Sequence, residues 1–110
     1  DTFSPEDDEL DAFLNRIELF RDSSHVRDYR VSDWRDMFAE VDFELTDVAA
    51  WDIPLDFEDW VTRSRTPEEE VAMLRASFAS ASSRVRERFA VDDKGNWSVP
   101  VGLVVGTRKA

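Results

Sequence analysis

From Trp97 to Val105 every second residue is large and apolar: Trp97, Val99, Val101, Leu103 and Val105. A period of two sustained over that length is the pattern of a strand with one buried face. The opposite face carries Ser98, Pro100, Gly102, Val104 and Gly106. Those side chains are small, which leaves room for another backbone or a helix to approach closely. One other segment reads as extended. Phe43 and Leu45 share a face, and Trp51, Ile53 and Leu55 alternate after an irregular stretch at Ala49-Ala50. Pro54 disfavours a central strand, so the expectation is one strand from Phe43 to Trp51 with a frayed exit. Two strands are too few for a doubly wound sheet. Carrying this much helix, they read as one edge of a larger one.

The helices have clear starts. Ser4 can cap, Pro5 suits a first helical position, and Glu6, Asp7 and Asp8 complement the positive end of the helix dipole. Leu10, Phe13, Leu14, Ile17 and Phe20 then recur at spacings of three and four, which predicts a helix from Pro5 to Arg21. Asp22-Ser23-Ser24 breaks it, because short polar side chains compete for backbone hydrogen bonds. After a linker from Ser23 to Val31, Ser32 is the next candidate cap, for a helix whose narrow apolar face is Trp34, Met37, Phe38 and Val41. Asp56 opens a short turn carrying Phe57, Trp60 and Val61. Thr66-Pro67-Glu68-Glu69 has the form of a capping box ahead of Val71, Leu74 and Phe78. Val85 and Phe89 mark a further short helix after Ser80, Ser82 and Ser83. Gly95 can take positive φ in the turn from Asp92 to Asn96. The order is helix, helix, strand, helices, strand: an α+β chain with four or five helices around a two-stranded antiparallel pair.

Twenty-five acidic residues against fourteen basic ones leave a net charge of −11. Such a field repels a phosphate backbone and an anionic lipid surface, so neither nucleic acid nor membrane is an expected partner. Apolar residues make up 42% and aromatics 12% of the chain, enough for a core despite the charge. The absence of cysteine excludes disulfides and thiolate metal sites. The first eight residues lack the regions of a signal peptide, and no apolar run approaches the roughly 18 residues that span a bilayer. The expectation is a soluble, cytoplasmic protein.

The three glycines are Gly95, Gly102 and Gly106. Nothing here forms a glycine-rich strand-to-helix turn, so no segment can cradle a nucleoside or dinucleotide in the usual manner. With no cysteine, one histidine and no HExxH motif, a metal site would need carboxylates alone, and the acidic residues fall mostly on expected solvent faces. No metal site is expected on that ground.

One stretch is more specific: Asn15-Arg16-Ile17-Glu18, then Arg21-Asp22-Ser23-Ser24-His25-Val26-Arg27-Asp28-Tyr29. With pattern N-x-x-E-x-x-R-D-x-S-H-x-R-x-Y, it resembles a segment of class I S-adenosylmethionine-dependent methyltransferases related to the quinone-biosynthesis methylases. Ser32-Asp33-Trp34, Phe57-Glu58-Asp59-Trp60 and the strand from Val99 to Thr107 follow the same family order, so the resemblance covers nearly the whole chain. It implies that residues 1–110 are the C-terminal part of a methyltransferase domain, the edge of a Rossmann-like sheet. Asp1 would close the fifth strand, Phe43 to Trp51 would be the sixth, and Trp97 to Thr107 the seventh, antiparallel and inserted between them. The loop that holds S-adenosylmethionine would lie outside this segment, which is not expected to bind the cofactor alone. Where Val41-Asp42 stands, the family usually has a glycine ending the preceding helix in a left-handed conformation; aspartate tolerates that conformation better than most residues.

Within the linker, His25 is the only side chain whose ordinary pKa, roughly 6.5, suits proton transfer near neutrality. It is the candidate catalytic residue, taking a proton from a small-molecule methyl acceptor. Arg27 could hold an acceptor carboxylate or enolate through its planar fork, and Tyr29 could position a hydroxyl or ring. The alternative is a structural linker, with Arg21 or Arg27 paired to Asp22 or Asp28 and His25 capping a helix or bonding a carbonyl. Trp34, Trp51 and Trp60 read as packing residues. Taken alone, the last strand would leave a flat apolar edge unpaired, which favours a homo-oligomer. Two functions remain open at this point: the acceptor side of a methyltransferase, inactive by itself, or a non-catalytic acidic binding or assembly module.

Overall fold

The structure is a computed structural model describing Asp1 to Ala110. Its elements are β1 (Phe3–Ser4), α1 (Asp8–Arg21), β2 (Tyr29–Arg30), α2 (Val31–Glu40), β3 (Phe43–Leu55), α3 (Phe57–Arg63), α4 (Glu68–Ala79), α5 (Ser83–Arg88) and β4 (Trp97–Arg108). The chain is α+β, with five helices and a long antiparallel pair, β3 against β4. No helix is long and apolar enough to cross a membrane.

The pair runs in register from Phe43 opposite Arg108 to Leu55 opposite Trp97, with one bulge at Thr46. Strand β3 is therefore longer than its pattern predicts, and its exit is not frayed. Pairing along the whole of β4 carries the backbone through Ala49-Ala50 and Pro54, and an edge strand tolerates proline. On the far side of β4 lies the start of the chain. Asp1 donates its amine to the Gly102 carbonyl at 2.9 Å, the Gly102 amide returns a bond to Asp1 at 2.8 Å, and Thr2 bridges Val101. Strand β4 thus sits between Asp1–Thr2 and β3. Phe3–Ser4 then turns away and pairs in parallel with Tyr29–Arg30.

The two faces of β4 divide the molecule. Trp97 and Val99 point into the core with Leu14, Ile17, Phe57, Trp60, Leu74, Phe78 and Phe89. On the opposite face the small side chains admit close neighbours, as their size predicts: the Phe3 ring lies over Gly102 and Phe38 of α2 over Gly106. Further along the core side, Trp51, Leu103 and Val105 remain exposed because the helices reach only as far as Val101. Trp51, expected to pack, is 53% exposed.

Several caps differ from the pattern, each because a tertiary contact claims the hydroxyl. Helix α1 begins at Asp8, not Pro5, and Asp7 caps it by accepting from Glu9 and Leu10. Ser4 bonds Asp11 at 2.6 Å instead. Helix α2 begins at Val31, where Asp33 accepts from the Arg30 amide, while Ser32 donates to Glu6. Helix α4 starts at Glu68, and Thr66 donates to the Arg21 carbonyl. Asp56 and Ser82 cap α3 and α5.

Asp42, immediately after α2, has φ of 61°. Left-handed backbone strains any residue with a Cβ, so Asp42→Gly is expected to stabilise the chain by about 0.5–1 kcal/mol, raising the melting temperature by a few degrees. An unchanged or lowered midpoint would show that the aspartate carries no such strain.

Candidate functional site

One side of α1 places Asp11, Asn15 and Glu18 in a polar row at spacings of four and three, beside the apolar stripe. The linker after α1 folds back along this row. Asn15 anchors it: its amide nitrogen donates to the carbonyls of Asp11 and Asp28, and its oxygen accepts the Asp28 amide at 2.6 Å. Those three bonds fix which end of the amide is oxygen. The same oxygen lies 3.2 Å from His25 Nε2, so that nitrogen carries the proton and donates. Nδ1 is then the imidazole nitrogen left to accept one.

His25 does not stand alone. Its Nε2 is 3.9 Å from Asp28 Oδ2, and the ligating atoms of Glu18, His25 and Asp28 all lie within 4.8 Å of one another. All three side chains are largely buried. Burial, reinforced by the charge of Asp28, pushes Glu18 up to about 7. Burial likewise pushes Asp28 up to about 6. Asp28 Oδ2 has no hydrogen-bond partner. Two carboxylates expected on solvent faces are therefore inside, flanked by Arg21 at 3.9 Å from Glu18.

A carboxyl whose folded pKa is raised stabilises the fold below its unfolded value, 4.5 for Glu18, and that contribution is lost as pH rises through about 7. The neutral isostere escapes this loss. Glu18→Gln is expected to melt about 3–6 °C above the parent at pH 8 in chelator, and much closer to it at pH 5. Equal midpoints at pH 8 would mean that Glu18 is not buried as a charge.

Arg27 and Tyr29 lie on the other side of the linker. With Asp1, Thr2, Asp28 and Trp34 they line a cleft of about 110 Å³ beside the Asp1–Thr2 segment that flanks β4. Tyr29 packs edge-on against Trp34 at 5.8 Å. Arg27 is held by Asp11 at 3.0 Å and Asp33 at 3.7 Å. The expected pairing with Asp22 or Asp28 is not the one formed. Asp11 also binds Arg30 and Ser4. Burial pushes the Asp11 carboxyl up, but the bonds from Arg30 and Ser4 and the charge of Arg27 outweigh it and hold it low. Arg21 instead donates to the Trp60 carbonyl at 3.0 Å, tying the end of α1 to α3.

The three candidate residues therefore fall into two places joined by Asp28. Arg27 and Tyr29 face the cleft, and His25 faces α1. The sequence assigns no role to Asp11, Asn15 or Glu18, and Asp28 enters it only as a possible ion-pair partner of Arg21 or Arg27. The signal that could have found them is the i, i+4, i+7 row of polar residues opposite a polar linker.

No family model matches the chain. It is 32% identical over 91 residues to YcgJ of Bacillus subtilis, an uncharacterized methyltransferase, spanning 83% of this chain and 36% of that protein. It is 34% identical over all 110 residues to YafE of Escherichia coli, an uncharacterized protein of which it spans 53%. The crystal structure of YcgJ matches the entire chain with a TM-score of 0.92 at 28% identity, across 50% of that molecule. A Bacillus halodurans protein provisionally named a methyltransferase matches 96% of the chain with a TM-score of 0.83 at 30% identity, across 51% of its own length. The chain thus spans about half the length, or less, of the relatives it matches.

Proposed function

We propose, from the premise that the chain is a C-terminal part of a methyltransferase-like domain, that it supplies the acceptor side of an S-adenosylmethionine-dependent enzyme acting on a small molecule. The observation that carries this reading is the likeness of the whole chain to one half of YcgJ. The strand order supports it. With Asp1–Thr2 as the end of a fifth strand, β3 as the sixth and β4 as the seventh, an antiparallel last strand inserts between its two neighbours. Ligands of such sheets sit beyond the carboxyl ends of the strands, where Asp1, Thr2 and the Arg27–Tyr29 cleft meet.

The residues present do not fit the cofactor itself. The one glycine at positive φ, Gly95, closes the Asp92–Asn96 turn against the Phe57 ring, 3.1 Å from where a Cβ would stand. That turn serves packing. The methyl donor would be held by residues outside this segment, and the segment alone is inactive. What its own residues supply is acceptor handling. Tyr29 orients the acceptor, and Arg27 offers it a cation already aligned by Asp11 and Asp33. His25 lies on the α1 side of the linker, outside that cleft, so taking the acceptor's proton at Nδ1 would require the linker to turn its imidazole toward the cleft. In the 110-residue chain taken alone, the exposed strip of Trp51, Leu103 and Val105 would be covered by a second copy, giving a homo-oligomer that sedimentation at micromolar concentration would detect.

Calorimetric titration of S-adenosylhomocysteine tests the reading. The 110-residue chain is expected to give no binding heat, and the longer protein containing it to bind in the micromolar range. Binding by the chain alone would overturn the acceptor-side assignment, and no binding by the longer protein would overturn the methyltransferase reading. In that longer protein His25→Gln is expected to lower the methylation rate by about 10²–10⁴-fold, the usual contribution of a positioned base. An unchanged rate removes His25 from proton transfer.

A further inference from the structure

The strongest unexplained feature is the buried group of Glu18, His25 and Asp28. Two carboxylates and an imidazole converge within 4.8 Å from a helix and the linker that follows it. Glu18 projects from α1, Asp28 is brought to it by two bonds with Asn15, and His25 by a third at 3.2 Å. The convergence is therefore built by the fold. Asp28 is 9% exposed, and its Oδ2 is sealed from solvent without a donor, facing His25 at 3.9 Å. Burying an ionised carboxylate without a partner is costly, and placing a second one beside it is costlier. A cation at the centre of the group removes both penalties.

We propose that Glu18, His25 and Asp28 bind one divalent transition-metal ion of the zinc class, through the imidazole and one oxygen of each carboxylate. One nitrogen and two carboxylate oxygens are a donor set that zinc accepts, and a site with three protein ligands keeps a fourth position open. Ligand atoms around zinc stand about 3.3 Å apart at the usual bond lengths of roughly 2.0–2.1 Å, so the three side chains close by about an ångström on binding. The imidazole proton moves from Nε2 to Nδ1, and any proton held between the carboxyls leaves to solvent. The hydrogen bond from His25 to Asn15 is exchanged for the metal bond, while the two Asn15 bonds to Asp28 still hold the linker in place.

The proposal stands apart from the methyltransferase reading, because it concerns metal binding by this chain alone. It does have a bearing on it: with Nδ1 protonated, His25 no longer accepts a proton, so zinc would inhibit the longer enzyme.

The test is calorimetric titration of zinc chloride into the tag-free chain after chelator treatment, at pH 7.5, repeated with cobalt(II) while recording visible absorption. One equivalent is expected to bind with micromolar or tighter Kd, and cobalt to give a ligand-field band. Glu18→Gln and His25→Ala are each expected to weaken binding by about 100-fold or more, since even loss of an outer partner costs 10–100-fold. Glu68→Gln and Glu69→Gln, exposed at the start of α4, should leave it unchanged. Circular dichroism reports whether each variant folds, and Glu18→Gln, the closest isostere, decides the matter if His25→Ala does not. No binding by the parent, or binding that persists in folded Glu18→Gln, would overturn the proposal. The first outcome would leave a shared proton as the neutralising charge, and the second would place the metal on the acidic surface.

Discussion

Gly102→Val is expected to destabilise the chain by about 3–5 kcal/mol, lowering its melting midpoint by more than 10 °C. A Cβ at that position would stand 2.2 Å from the Phe3 ring and 2.4 Å from the Ala49 carbonyl. The ring could swing away only by giving up its own burial, worth roughly 1.5–3 kcal/mol for a large apolar side chain. The carbonyl cannot move without parting β3 from β4. Overpacking of this kind adds about 1–3 kcal/mol. The lesion also falls where Asp1 exchanges two hydrogen bonds with Gly102, so the start of the chain should detach. Pairing the change with Phe3→Ala separates the two obstacles. If the ring is the main one, the double variant loses less than the sum of the two single changes. A midpoint within 2 °C of the parent for Gly102→Val alone would contradict the close approach described for this face.

Trp97→Ala should cost about 3–5 kcal/mol, a large part of the roughly 5–15 kcal/mol that holds a domain of this size together. Trp97 is 2% exposed and meets Trp60 at 5.0 Å, Phe78 at 6.0 Å and Phe89 at 6.1 Å. These aromatics join α3, α4, the end of α5 and β4 in one cluster, so a cavity there is felt by four elements. Its indole nitrogen is buried without an acceptor, a feature that opposes stability. Trp97→Phe keeps an aromatic ring in the cluster and removes that nitrogen. It is expected to cost less than about 1.5 kcal/mol, as near-conservative core swaps do. Denaturant unfolding followed by circular dichroism distinguishes the pair. Comparable losses for Ala and Phe would mean that the ring contacts contribute little.

What the amino-acid pattern reveals depends on how local the cause is. The alternation from Trp97 to Val105 and its small-residue face are legible because a strand's two faces are written at a period of two, and both faces are used as that pattern predicts. The left-handed backbone at Asp42 is legible only through the family resemblance, which implies a helix-ending glycine there. Capping is less so. Ser4, Ser32 and Thr66 each have the chemistry of a cap, and each spends its hydroxyl elsewhere: Ser4 on Asp11 in the first turn of α1, and Ser32 and Thr66 on partners far along the chain, Glu6 and Arg21. The length of β3 is invisible locally as well, because pairing with β4, not its own composition, carries it to Leu55. In the site, His25 stands out by residue type. Its neighbours Asn15 and Glu18 do not, since a polar row on a helix usually faces water, and only the return of the linker buries this one.

The position of β4 has a consequence for how the chain acquires its structure. It is the last element in sequence, yet it lies between the first two residues and β3, and the Asp1–Gly102 bonds join residues 101 positions apart. Contacts of such separation carry a large loop-closure cost and slow folding. During synthesis β3 would leave the ribosome with both edges open and wait for more than forty residues before its partner appears. The helices can form in that interval, but the sheet cannot, and the aromatic cluster lacks Trp97 until then. Folding of this segment is therefore expected to complete only when its final strand is free, with β3 the segment most in need of chaperone protection beforehand.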